Sequence, residues 1–175
     1  MLHPRKLFKE KVPKKNMEKS DKENIKPVIV AVSGYFDPFH VGHLEYFGKA
    51  KSLGDFLVVI VNNDEQLKNN RDVSKPFMRQ EDRVNLIETI NFVDKVVLSV
   101  DKNGSVNETL KIIKPDIFAK GGGVEFGENV PETEVCKELG IKMVYGLGAK
   151  IRRYVNYEGD IEEYEPKKTE VKEYK

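Results

Sequence analysis

Ser33-Gly34-Tyr35-Phe36-Asp37-Pro38-Phe39-His40-Val41-Gly42-His43 follows the apolar run Val28-Ile29-Val30-Ala31-Val32 and leads into a helix-forming stretch. An apolar run without alternation suits a strand buried on both faces of a parallel sheet, so the quoted segment is a strand-to-helix turn. His40 and His43 stand at i and i+3, which puts both imidazoles on one face of the helix's first turn. Gly42 leaves the backbone bare where a ligand can approach, and Gly34 frees the exit from the strand. A helix N-terminus with two added N–H donors is an anion site. Such a histidine pair can also cap a helix or bind a metal, but one cysteine and one further histidine leave little to complete a metal set.

Gly34 to His43 resembles the G-x-F-D-x-x-H-x-G-H signature of the cytidylyltransferase-like nucleotidyltransferases. That family includes glycerol-3-phosphate and ethanolamine-phosphate cytidylyltransferases, heptose 1-phosphate adenylyltransferase, phosphopantetheine adenylyltransferase and archaeal FAD synthase. Its members join a nucleoside triphosphate to a phosphorylated acceptor and release pyrophosphate. The resemblance covers about residues 28 to 151. It implies a Rossmann-like, five-stranded parallel sheet of order 3-2-1-4-5 with helices on both faces.

The rest of the chain supplies the elements such a sheet needs. A helix from about Val41 is expected to bury Leu44, Phe47 and Ala50 and to end near Gly54 in a left-handed cap. Phe56 to Val61 reads as a second strand, ending at Asn62-Asn63-Asp64 on the edge where open α/β sheets hold ligands. Asp64 to Phe77 reads as a loop containing Lys68, Arg71 and Lys75, and a helix follows from about Arg79 with Val84, Ile87 and Ile90 in phase. Val93 to Val100, Pro115 to Lys120 and Ile141 to Tyr145 complete five strands. Ser105 and Glu108 match a capping box for a helix carrying Leu110, Ile112 and Ile113. Pro131 to Leu139 reads as a short helix stopped by Gly140. Strands alternating with helices give an α/β fold with right-handed crossovers.

Site residues follow from the resemblance. His40 and His43 take the catalytic role, stabilising charge at the α-phosphorus. Nucleotide contacts fall to Gly34, Tyr35, Phe36, Asp37 and Gly42 in the motif, and to Lys68 and Arg71 in the loop. They also fall to Lys120, Gly121 and Gly122, and to Lys150, Arg152 and Arg153 after the last strand. Lys120-Gly121-Gly122 resembles the K-G-G-D segment of heptose adenylyltransferases, with Gly123 where Asp is expected. Relatives carry Ser or Thr near the position of Arg152-Arg153, and arginine can replace a hydroxyl contact to phosphate with a longer, charged fork. Ser105 and Arg83 are assigned to the acceptor, Arg83 as support from its helix. No residue is assigned to a metal; Mg²⁺ is expected on the triphosphate, with few protein ligands. The resemblance orders the nucleotides CTP before ATP, leaves the acceptor as a small phosphorylated alcohol or sugar, and inclines the assembly to a homodimer. A nucleotide-binding protein without turnover is the alternative.

Residues 1–27 carry nine Lys/Arg against four Asp/Glu, with Pro4, Pro13 and Pro27, and read as a basic mobile tail. Residues 28–153 form the nucleotidyltransferase domain and 154–175 a charged extension. A formal net charge of +1 over 175 residues argues against a nucleic-acid partner. One cysteine, Cys136, excludes an internal disulfide, and no apolar run is long enough to span a bilayer. The expected location is the cytoplasm.

Overall fold

Val30, Ala31 and Val32 have no solvent exposure at all, because both faces of their strand are covered. The computed structural model describes residues 26–70, 75–121, 130–148, 153–155, 161–163 and 172–174. In chain order the elements are β1 (Ile29–Gly34), α1 (Val41–Lys51), β2 (Phe56–Val61), α2 (Asp64–Asn70), α3 (Gln80–Glu88), β3 (Lys95–Leu98) and α4 (Asn107–Ile113). They continue as β4 (Ile117–Gly121), α5 (Thr133–Leu139), β5 (Lys142–Leu147), β6 (Arg153–Val155), β7 (Ile161–Glu163) and β8 (Lys172–Tyr174). The main sheet has the order β3-β2-β1-β4-β5-β8. β1 to β5 pair in parallel, so the expected five-stranded order is what the chain adopts. β8 adds antiparallel to β5, and β6 and β7 pair with each other.

Two cores sandwich the sheet. On one face Ala31, Val58, Ile60 and Phe118 meet Leu110 of α4 and Val135 of α5. On the other, Val30, Val32, Leu57 and Val59 meet Phe47 and Ala50 of α1 and Ile87 of α3. Strand order reverses between β1 and β4, and crossovers leave their C-terminal ends on opposite faces. The crevice that opens there is where such sheets hold ligands. No helix of the described residues is long and apolar enough to cross a membrane.

Several local expectations change. α1 buries Gly42, Tyr46, Phe47 and Ala50 and leaves Leu44 exposed, since the helical period carries position 44 off the sheet-facing stripe. The helix closes on Ser52 in right-handed geometry. Gly54 serves close approach: a Cβ there would lie 2.7 Å from Val30 Cγ2 and 2.8 Å from the Val28 carbonyl oxygen. Gly54→Ala is therefore expected to cost about 1–3 kcal/mol through overpacking, read as a lower Tm with the fold retained. Gly140 does take the left-handed cap expected of it, at φ 66°.

Residues 64–70, expected as loop, form α2. Asn63 and Gln66 make the reciprocal bonds of a capping box, Gln66 N–H to Asn63 Oδ1 at 2.8 Å and Asn63 N–H to Gln66 Oε1 at 3.0 Å. The box expected from Ser105 and Glu108 does not form. Asp101 caps α4 instead, its two carboxylate oxygens accepting from Glu108 N–H and Thr109 N–H at 2.8 and 3.0 Å. β3 is shorter than Val93 to Val100 because Asp94 turns its carboxylate onto Leu57 N–H and Lys51 Nζ before the ladder begins.

Candidate active site

His40 is the N-cap of α1 and His43 lies in its first turn, and their rings stack with centroids 3.7 Å apart and planes 17° apart. His40 N–H donates to His43 Nδ1 at 3.3 Å, so the neutral His43 ring carries its proton on Nε2. Burial pushes the His40 pKa below its ordinary 6.5, partly offset by a backbone hydrogen bond. The ring is thereby uncharged at neutral pH. Phe36 and Phe39 wall His43, their centroids 5.1 and 5.5 Å from it, with the Phe36 ring edge-on.

The turn carrying these residues is pinned at both ends. Phe36 adopts φ 53°, a left-handed conformation that a bulky side chain rarely takes, and the Asp37–Pro38 peptide is cis. Asp37 Oδ2 and Oδ1 accept Phe77 N–H and Met78 N–H at 2.9 and 2.8 Å. Gly34 is required by the same turn, since a Cβ would stand 2.8 Å from the Phe36 ring. Gly42 is buried in the first turn of α1, and the Tyr35 hydroxyl reaches Gln66 O at 3.4 Å.

Arg83, assigned from sequence to the acceptor, is fully buried. Its Nε donates to Met78 O at 3.1 Å, its Nη1 to Tyr35 O at 2.5 Å and Asn62 O at 2.8 Å, and its Nη2 pairs with Asp64 Oδ1 at 2.5 Å. Ser105 is buried too, its hydroxyl donating to Asn103 Oδ1 at 2.7 Å. Arg83 thus holds three backbone carbonyls, and the Ser105 hydroxyl holds the Asn103 side chain. Beneath them lies a polar floor missed by sequence reasoning. Gln66 Nε2 donates to Asn103 O and Ser105 O, and Asn63 Nδ2 to Ser99 O and Asp101 O. The Asn63-Asp64-Glu65-Gln66 spacing was the signal that could have revealed it.

Across the crevice, strand alternation puts Lys120 on the face of Phe118, away from α1. Its Nζ lies 4.8 Å above the Phe118 ring and 3.0 Å from Glu132 Oε2. Glu132 is 2% exposed, and its other oxygen accepts Val106 N–H at 3.1 Å. Lys120 is thus paired with a carboxylate on the opposite side of the sheet from the histidines. Gly121 faces α1: a Cβ there would meet the Tyr46 ring at 3.9 Å. The buried Tyr46 hydroxyl donates to Ala119 O at 2.5 Å, joining the histidine helix to β4. Burial holds the Tyr46 pKa far above its ordinary value, so this donor keeps its proton. Gly148 lies against α1 at φ 82°.

Lys68 is exposed in the last turn of α2. Arg71, Gly122, Gly123, Lys150 and Arg152 lie outside the described residues, as does most of the N-terminal tail; Arg153 is described only as backbone of β6. Among the described residues no group of three His, Cys, Asp or Glu side chains could hold a metal.

A family model described as cytidylyltransferase-like matches residues 31–147. The bifunctional protein HldE of a Nitratiruptor species is 40% identical over 111 residues, 63% of this chain and 23% of that protein. Its namesake in Aliarcobacter butzleri is 36% identical over 116 residues, 66% of this chain and 24% of that one. The chain therefore spans about a quarter of the length of these curated relatives. The lipopolysaccharide core biosynthesis protein from Thermoplasma volcanium superposes with a TM-score of 0.60 at 31% identity, over 70% of this chain and 98% of that one. Because the match runs from within β1, through the histidine turn, to the last residue of β5, the chain belongs to the cytidylyltransferase-like family of nucleotidyltransferases.

Proposed function

We propose that this protein transfers a nucleotidyl group from a nucleoside triphosphate to a phosphorylated sugar, releasing pyrophosphate. The observation that carries the reading is the stacked His40–His43 pair at the N-terminus of α1, with His43 held as an Nε2–H donor. An acceptor phosphate is already ionised near neutral pH and needs no strong base. Its oxygen attacks the α-phosphorus, the new P–O bond forms as the bond to the β-phosphate bridging oxygen breaks, and pyrophosphate leaves with that electron pair. Imidazole N–H groups and the helix's free N–H groups meet the charge that grows on the phosphorus oxygens, while the crevice holds both substrates in line. Asp37 spends both carboxylate oxygens on backbone N–H groups. Magnesium therefore belongs in this reading to the incoming triphosphate as part of the substrate.

For the donor we favour ATP over CTP and for the acceptor a sugar phosphate. The Lys120-Gly121-Gly122 segment supports this, as does the similarity to a protein named for lipopolysaccharide core biosynthesis. Pyrophosphate release is measured with each nucleoside triphosphate against a panel of phosphorylated sugars and alcohols. Release with ATP and a sugar phosphate is expected. Tight triphosphate binding without release from any pair would make the protein a non-catalytic nucleotide binder.

The depressed His40 pKa gives two pH effects. Its folded value lies below the 6.5 of the free side chain, so the unfolded chain binds more proton between those values. This stabilising contribution is complete above 6.5 and is lost as pH falls toward the folded value. A bound phosphate reverses the shift by favouring the imidazolium. Triphosphate binding near pH 6.5 is therefore expected to take up protons, seen as a buffer-dependent heat in titration calorimetry. Buffer-independent heats would remove His40 from the phosphate contact.

A further inference from the structure

Arg83 and Asp37 together clamp the turn that aims His43. Between Tyr35 O, held by Arg83, and the Asp37 carboxylate, held by Phe77 N–H and Met78 N–H, lies a single residue, Phe36. That residue has the left-handed φ of 53°. A phenylalanine keeps such a conformation only where its surroundings over-determine it, and the two anchors do so from either side. Arg83 also closes the loop back on itself, because its Nε holds Met78 O while Met78 N–H is held by Asp37. The consequence reaches the histidines through one ring: Phe36 sits edge-on to His43 at 5.1 Å and edge-on to Phe47, itself fully buried, at 5.0 Å.

We infer that Asp37 and Arg83 are positioning residues, which fix the direction of His43 Nε2–H by holding Phe36 in its left-handed conformation. With either anchor gone the turn relaxes, the Phe36 ring leaves the edge of His43, and the imidazole loses its wall on that side. The inference rests on the proposed role of His43 as a phosphate donor, but the placement of His43 can be read without turnover. Neither residue needs to touch a substrate.

Asp37→Asn is the informative variant, since it keeps shape and one acceptor while turning an amide donor onto a backbone N–H. The chain has three histidines, so the imidazole signals of labelled protein can be assigned singly. Expected are displaced His43 ring resonances in the folded variant, and kcat for pyrophosphate release down about tenfold to a hundredfold with KM for the triphosphate little changed. Phe36→Leu, which leaves both anchors in place, is expected to repeat both effects. It carries the test if Asp37→Asn loses its thermal transition. Unmoved His43 resonances in either folded variant overturn the inference, and so does full kcat with displaced resonances. A parent without activity on any substrate pair refutes nucleotidyl transfer alone, because the resonances still decide whether the clamp sets His43.

Discussion

His43→Ala is expected to lower kcat by about a hundredfold to a thousandfold, the loss typical when one preorganised donor to a developing oxyanion is removed. The ring sits at the crevice against Phe36 and Phe39, so its removal leaves both sheet cores intact. Triphosphate affinity should change much less than turnover, because the donor's bond strengthens as charge grows in the transition state. His40→Ala should resemble it, with the added loss of the proton uptake expected on binding. A folded His43→Ala variant that turns over normally would leave the helix N-terminus to do the work, and the imidazole pair would lose its place in the reaction.

The second large effect concerns stability. Glu132→Ala removes the carboxylate that holds both Lys120 Nζ and Val106 N–H. The Lys120 side chain is only 14% exposed, so it would be left as a nearly buried ammonium without its partner. Breaking one side of such a pair typically costs about 3–5 kcal/mol, with a further contribution from the orphaned Val106 amide. Denaturant titration should show a midpoint shift of that size. Lys120→Met is expected to be milder, because Glu132 keeps its hydrogen bond from Val106 N–H. A Glu132→Ala change worth less than about 1 kcal/mol would show that water solvates the pair freely.

The parallel sheet was legible because strands covered on both faces must be apolar at every position, and Val28 to Val32 and Phe56 to Val61 are. The histidine turn was legible because its residues are adjacent in the chain. The partners of Arg83 were not legible for the opposite reason: they are carbonyls and a carboxylate from positions 35, 62, 64 and 78, brought together only by folding. The Ser105–Glu108 box failed the same way, since the Asp101 carboxylate further upstream of the helix outcompeted Ser105. The face on which Lys120 lies was legible, because counting two residues from the core-facing Phe118 already puts it on the α4 and α5 side.

The bond from Tyr46 to Ala119 has a mechanical meaning for the crevice. It acts as a rivet through the floor: α1 cannot slide or lift relative to β4 without stripping a buried carbonyl of its donor. The span from the histidines to Gly121 is then a fixed gauge, set by the length of one phenol side chain. Whatever closes on the substrates must hinge elsewhere, so ligand-induced changes in hydrogen exchange should spare β4 and the body of α1 beyond its first turn.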